Sequence, residues 1–286
     1  MLDDVVKSYL DYLLTLPEHR KQFVQRLKSH PPGARAEAAM FAFLRAEGCD
    51  PILNEDPGEG GADFCCRQPD RFVVEVTSLE DIVLAENAGT SVELPGDGEG
   101  AALDMVAVLK LVRTTASRKA PQLANYPVPR MLAICSQYWG TSMFFGPGGA
   151  SELMYGGSAI KVPVSGNGPA GSAELTTDLG EALFLRFNKD GSVEACRKSI
   201  SALLLVHLDE TACHIVGLLH PEPAIPFPIT HLPTIPFGAV NWPGTTLEIE
   251  WKMGGATQAT FPHEEIKLTA KDLHDGVPLS KGKCGQ

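Results

Sequence analysis

An α/β architecture, a mixed sheet flanked by helices with additional strands toward the C-terminus, is what this sequence predicts. Three observations carry it. Helical and strand-like runs alternate between residues 34 and 136, and further strand-like runs fill the C-terminal half. At 286 residues, with 44% hydrophobic and 21% charged residues, the chain also has the composition and size to bury a substantial core.

The elements follow in order. Residues 1–32 read as a helical lead-in: Val5, Leu10, Leu13 and Leu14 recur at helical spacing, and "EHRKQFVQRLKSH" is a second amphipathic stretch that stops at Pro31-Pro32-Gly33. Residues 33–139 read as the core. A helix over 34–47 is closed by Gly48; "PILNE" and "ADFCCR" are short strands, and "RFVVEVTS" is a longer one reached through the turn "QPD". The acidic, glycine-rich stretch 86–100 is a loop, "AALDMVAVLKLVRTTASRKAPQL" a long helix and "RMLAICS" a strand. Residues 140–286 open with Gly, Pro and Ser-rich loops or a hairpin insertion up to Gly171. The strands "EALFLRFN", "SISALLLVHL", "HIVGLLH" and "TTLEIEWKM" follow, with a proline-laden arm from Pro221 to Pro243 that Trp242 and Trp251 anchor.

Several function classes lose support at once. The net charge of −11 speaks against coating nucleic acid by charge alone, although it leaves room for a local basic groove. No apolar run approaches the ~18 residues of a membrane span, and the first residues are acidic without a signal-peptide pattern, which predicts a soluble, cytoplasmic protein with no membrane partner. Seven cysteines without a CxxC pair suit reduced, buried thiols. His207, His214 and His220 lack metal-ligand spacing, and no nucleophile elbow, Walker A loop or dinucleotide fingerprint is present.

The chemistry concentrates in "GGADFCCRQPDRFVVEVTSLED", residues 60–81. Alternation sends Phe72, Val74 and Val76 to one face of the strand and Val73, Glu75 and Thr77 to the other. If "ADFCCR" pairs with that strand, Asp63 sits near its outer end and can share a pocket with Glu75. Two close carboxylates repel unless one is protonated or a cation lies between them, and hard oxygen ligands suit Mg²⁺ or Mn²⁺. Upstream, Glu37 shares a helix face with Met40, Phe41 and Leu44, so it either needs a partner or simply enjoys a helix N-terminus.

In this order, Glu37, then Asp63, then Glu75-Val76-Thr77, then Lys119 and Gln122, then "RMLAICS", residues 34–136 resemble the PD-(D/E)xK, or restriction-endonuclease-like, nuclease superfamily. The resemblance implies a restriction-endonuclease-like core and a metal-dependent nuclease that hydrolyses phosphodiester bonds, with DNA as the expected partner and a homodimer as the family's usual way to cut both strands. It implies Mg²⁺ or Mn²⁺ held by Asp63 and Glu75 with the Val76 carbonyl and Glu37, directly or through water. Thr77 departs from the pattern, since a lysine usually stands there. In the superfamily that lysine can migrate to the neighbouring helix, where Lys119 lies on the border of the stripe formed by Met105, Leu109, Val112, Ala116 and Leu123. Lys119 would then stabilise developing charge, and Gln122 would position phosphate or water. Lys110, Arg113, Arg118, Lys119 and Arg130 outnumber Asp104 along this region, which offers phosphate contacts or a merely solvated face. With threonine in place of lysine, the alternative is a degenerate nuclease fold that binds nucleic acid or protein; a third reading makes Asp63 and Glu75 plain hairpin-edge acids.

Overall fold

The computed structural model describes residues 2–54, 61–80, 83, 105–156, 158–161, 174–177, 181–190, 192–209, 213–243 and 249–255. The loop expected over 86–100 lies outside them. Three helices open the chain: α1 (Leu2–Tyr12), α2 (Pro17–Ser29) and α3 (Pro31–Ala46). Pro31 and Pro32 start α3 rather than merely ending α2, because its first turn needs neither of their missing N–H groups and their fixed φ suits a helix. At the other end Gly48, at φ +79°, lets Cys49 N–H reach Leu44 O at 2.9 Å and Gly48 N–H reach Arg45 O at 3.0 Å, so two terminal carbonyls are satisfied.

Strands β1 (Pro51–Leu53), β2 (Phe64–Cys66) and β3 (Phe72–Ser78) form an antiparallel meander. Helix α4 (Met105–Leu123) then crosses over to β4 (Arg130–Ser136), which pairs parallel with β3. Next come α5 (Pro147–Tyr155), the small hairpins β5 (Ser158–Lys161)–β6 (Glu174–Thr177) and β7 (Leu185–Phe187)–β8 (Val193–Ala195), and four strands that rejoin the main sheet: β9 (Ala202–Leu208), β10 (Cys213–Leu219), β11 (Pro236–Val240) and β12 (Ile249–Met253). The eight-stranded order is β1-β2-β3-β4-β9-β10-β11-β12, with β3-β4, β4-β9 and β10-β11 parallel and the other pairs antiparallel.

Helices cover both faces of this mixed sheet. One core sets Tyr9, Phe23, Met40, Phe41 and Leu44 of α1–α3 against Phe64, Val74, Ala133 and Leu204. The other sets Val108, Leu109, Val112 and Ala116 of α4 with Leu153 of α5 against Val73, Leu132, Ile134 and Leu205. Strands β4 and β9 are buried along all their residues, as expected of parallel strands covered on both sides. Core strands and C-terminal strands contribute to both cores, and the lead-in helices to the first.

Some expectations need correction. The proline-laden stretch from Pro221 to Pro243 is not only an arm, since it contains β11, which pairs with both β10 and β12. Part of the Gly-rich stretch from 140 is helical, as 3₁₀ turn Trp139–Met143 and helix α5. Among the described residues no helix is long and apolar enough to cross a membrane. Six cysteines are free, four of them buried, and Cys284 lies outside the described residues.

Candidate functional site

Strand β3 is the axis of the site. Its alternation puts Phe72, Val74 and Val76 toward α1–α3, and Val73 and Glu75 toward α4. Glu75 is only 4% exposed, so its charge needs an answer on that side. Lys119 of α4 supplies it, with Nζ donating to Glu75 Oε1 at 2.6 Å. The lysine side chain is itself only 20% exposed.

Asp63 is placed by an irregular approach to β2. Gly61 stands at φ +143°, where side chains other than glycine's are strained, and Ala62 N–H donates to Tyr126 Oη at 2.7 Å. Asn54 Nδ2 holds the Ala62 carbonyl at 3.2 Å. The chain is thereby turned so that Asp63 Oδ2 accepts from Val76 N–H at 2.6 Å. The register of β2 against β3 runs only as far as Phe64 opposite Val74, so the carboxylate takes over where the strand partner stops.

Glu37 is enclosed from a direction the sequence left open. Tyr9 Oη donates to Glu37 Oε1 at 2.7 Å, and Arg26 Nη2 lies 2.6 Å from Glu37 Oε2. Tyr9 is 1% exposed, wedged against Phe23 and Phe41 with ring centroids 4.9 and 4.8 Å away. Burial and the neighbouring Glu37 carboxylate push its phenol pKa well up, so the hydroxyl stays protonated and a donor.

Glu37 and Asp63 line one cleft of about 260 Å³ with Arg26, His30, Gly33, Ala34, Val76, Thr77, Ser78, Glu80 and Arg118. Glu75 and Lys119 are outside this lining, on the α4 side of β3, one residue along from Val76. Among the described residues no three His, Cys, Asp or Glu side chains form a group able to hold a metal ion. No family model, curated protein or solved structure matches this chain.

The structure therefore brings Lys119 to Glu75, and Asp63 to the backbone of β3 beside it, but gives Glu37 to Tyr9 and Arg26. Gln122 is exposed in the last turn of α4 and does not line the cleft, so it is not brought to the site. The basic run along α4 and into β4 is largely spent inside the protein. Arg113 is buried, donating to Glu181 O, Arg130 is 3% exposed and donates to Ala124 O at 3.2 Å, and Lys119 serves Glu75; Lys110 and Arg118 remain exposed. The histidines are structural in two cases: His207 Nδ1 lies 3.2 Å from Thr141 Oγ1, and His220 Nε2 lies 2.7 Å from Cys196 O.

Arg26 and His30 are cleft residues that sequence reasoning missed, whereas Arg118 belongs to the basic run it offered for phosphate contacts. The available signal was Glu37 itself, an acid on an apolar stripe that demanded a cation nearby. A larger groove of about 680 Å³ between α3 and β10 is lined mainly by apolar side chains such as Val5, Phe43, Phe145, Ile215 and Ile235, with no carboxylate among the described residues that line it.

Proposed function

We propose that the protein is a metal-dependent nuclease of the restriction-endonuclease-like kind, hydrolysing phosphodiester bonds in DNA. The observation that carries this reading is the 2.6 Å contact between Lys119 Nζ and Glu75 Oε1, which sets a helix lysine against the hairpin glutamate in a strand whose usual lysine position is Thr77. The order helix α3, meander β1–β3, crossover helix α4, parallel β4 supports the same reading.

The donor chemistry suits a hard divalent ion: two carboxylates, Asp63 and Glu75, flank the β3 backbone at adjacent positions, and Asp63 already lies against Val76. Asp63, Glu75 and the Val76 carbonyl would hold Mg²⁺ or Mn²⁺, which would supply an activated water and polarise the scissile phosphate. Lys119 contributes a fixed positive charge next to Glu75, available to an oxyanion developing on the phosphate. Thr77, which lines the cleft, offers only a neutral hydroxyl.

A second reading draws on a different observation. Each acid already has a protein partner, Asp63 the Val76 N–H and Glu75 the Lys119 ammonium, as a fold that has kept its scaffold and lost its metal would show. Such a protein would bind nucleic acid or a protein without cutting. Cleavage of a DNA and RNA panel in Mg²⁺ or Mn²⁺, by wild type and by the Asp63→Ala, Glu75→Ala and Lys119→Ala variants, separates the two. Metal-dependent cutting abolished in all three folded variants supports the nuclease; binding without cutting under every condition supports the degenerate module.

A further inference from the structure

We infer that Arg26 is the phosphate-binding residue of the cleft and that Glu37 positions it rather than ligating metal. This rests on the nuclease reading and assigns a role to a helix outside the region that resembles a nuclease.

Both oxygens of Glu37 are engaged, one by Tyr9 at 2.7 Å and one by Arg26 at 2.6 Å. Turning that carboxylate toward a cation would strip the hydroxyl of a tyrosine that is 1% exposed, and orphaning a buried donor is expensive. The Glu37 side chain is 7% exposed while that of Arg26 is 40% exposed, so although both line the cleft the cation is the more accessible member of the pair. The Arg26 guanidinium is tied to the Glu37 carboxylate through Nη2 and stays partly exposed, and a planar cation oriented in this way suits a phosphate. Arg118 of α4 lines the same cleft and is exposed. Arginines from two helices thus border the space that Asp63 lines, and a phosphodiester entering it meets Arg26 from α2 and Arg118 from α4. The two are few compared with the basic tracks of proteins that coat duplexes, in keeping with the chain's net charge of −11.

The test is fluorescence anisotropy of a labelled single-stranded and a labelled duplex DNA with the full chain in Ca²⁺, across a salt series. The variants are Arg26→Lys, Arg26→Ala, Glu37→Gln and Arg118→Ala, each checked for its melting curve. Arg26→Lys keeps the charge and a partner for Glu37, so it guards against misfolding of Arg26→Ala. Wild type should bind, Arg26→Ala and Arg118→Ala each about tenfold more weakly with a shallower salt dependence, Arg26→Lys more weakly at an unchanged salt slope, and Glu37→Gln more weakly as well, through a freed Arg26. Wild-type affinity and salt slope in a folded Arg26→Ala, or wild-type affinity in Arg26→Lys where Arg26→Ala does not fold, overturns the inference and leaves the nuclease reading standing. Absence of DNA binding by wild type overturns both.

Discussion

Glu75 and Lys119 form a pair in which each residue depends on the other for more than attraction. With the carboxylate side chain 6% exposed, removing the lysine takes away the ammonium that lies 2.6 Å from a buried charge. Lys119→Met should therefore cost about 3–5 kcal/mol in urea denaturation, whereas the double variant Glu75→Leu/Lys119→Met should recover most of that loss. A double variant as unstable as the single one would show that the pair is held by packing. The lysine was legible in the sequence because helical spacing from Thr115 puts it on the border of α4's buried stripe. Gln122 follows the same arithmetic yet falls in the final turn, where the helix ends at Leu123 and the side chain reaches solvent. Glu37's need for a partner was equally legible, but Tyr9, 28 residues away, was not, because no periodicity links an acid on one helix to a phenol on another. Tyr9→Phe should destabilise the fold by about 1–3 kcal/mol by the same assay, with Arg26 left as the partner of Glu37.

Elements were readable where a single physical demand set the composition. "RMLAICS" is apolar at nearly every position because β4 is covered on both faces, and that run coincides with the observed strand. Strand β11 was hidden because proline argues against strands, yet Pro236 is its first residue, where a missing N–H is tolerated. Helix α5 was hidden by Pro147, Gly148 and Gly149, although proline in the first turn and Gly156 in the left-handed region are helix signals. Strand β10 carries its own requirement at Gly217, opposite Phe237 of β11. A Cβ there would sit 2.2 Å from the fully buried Phe237 ring, so Gly217→Ala should lower the urea midpoint by the equivalent of about 1–3 kcal/mol, and Phe237→Leu in the same chain should return part of it. Just past β10, His220 Nδ1 accepts from Glu222 N–H at 3.0 Å, which requires a neutral ring. Burial depresses its pKa from 6.5 to about 4. As pH falls through 6.5 the unfolded chain takes the proton first and the native state only near 4, so stability is full above 6.5 and declines across that window. The loss amounts to about 3 kcal/mol, and His220→Gln should flatten the dependence of unfolding free energy between pH 7 and 4.5.

At the scale of the molecule, the nuclease-like region is the middle of a larger sheet. β4 pairs with β3 on one edge and with β9 on the other. A fragment ending at residue 139 would turn a strand buried at all seven positions into an exposed edge, and its circular dichroism and gel filtration should show an aggregating or unfolded chain, where a folded monomer would mean that the core stands alone. The α/β class could be read from alternating periodicities, while the pairing of β4 with β9 could not, because parallel ladders close over long loops that leave no local mark. That ladder also has a history during synthesis. A ribosome adding about 5–20 residues per second needs roughly 4–14 s to travel from Ser136 to Leu208, and for that interval the newborn chain holds a strand destined for full burial without its second neighbour. Any helper that shields nascent chains would have its moment of greatest use there, after β4 has emerged and before β9 arrives to close the sheet.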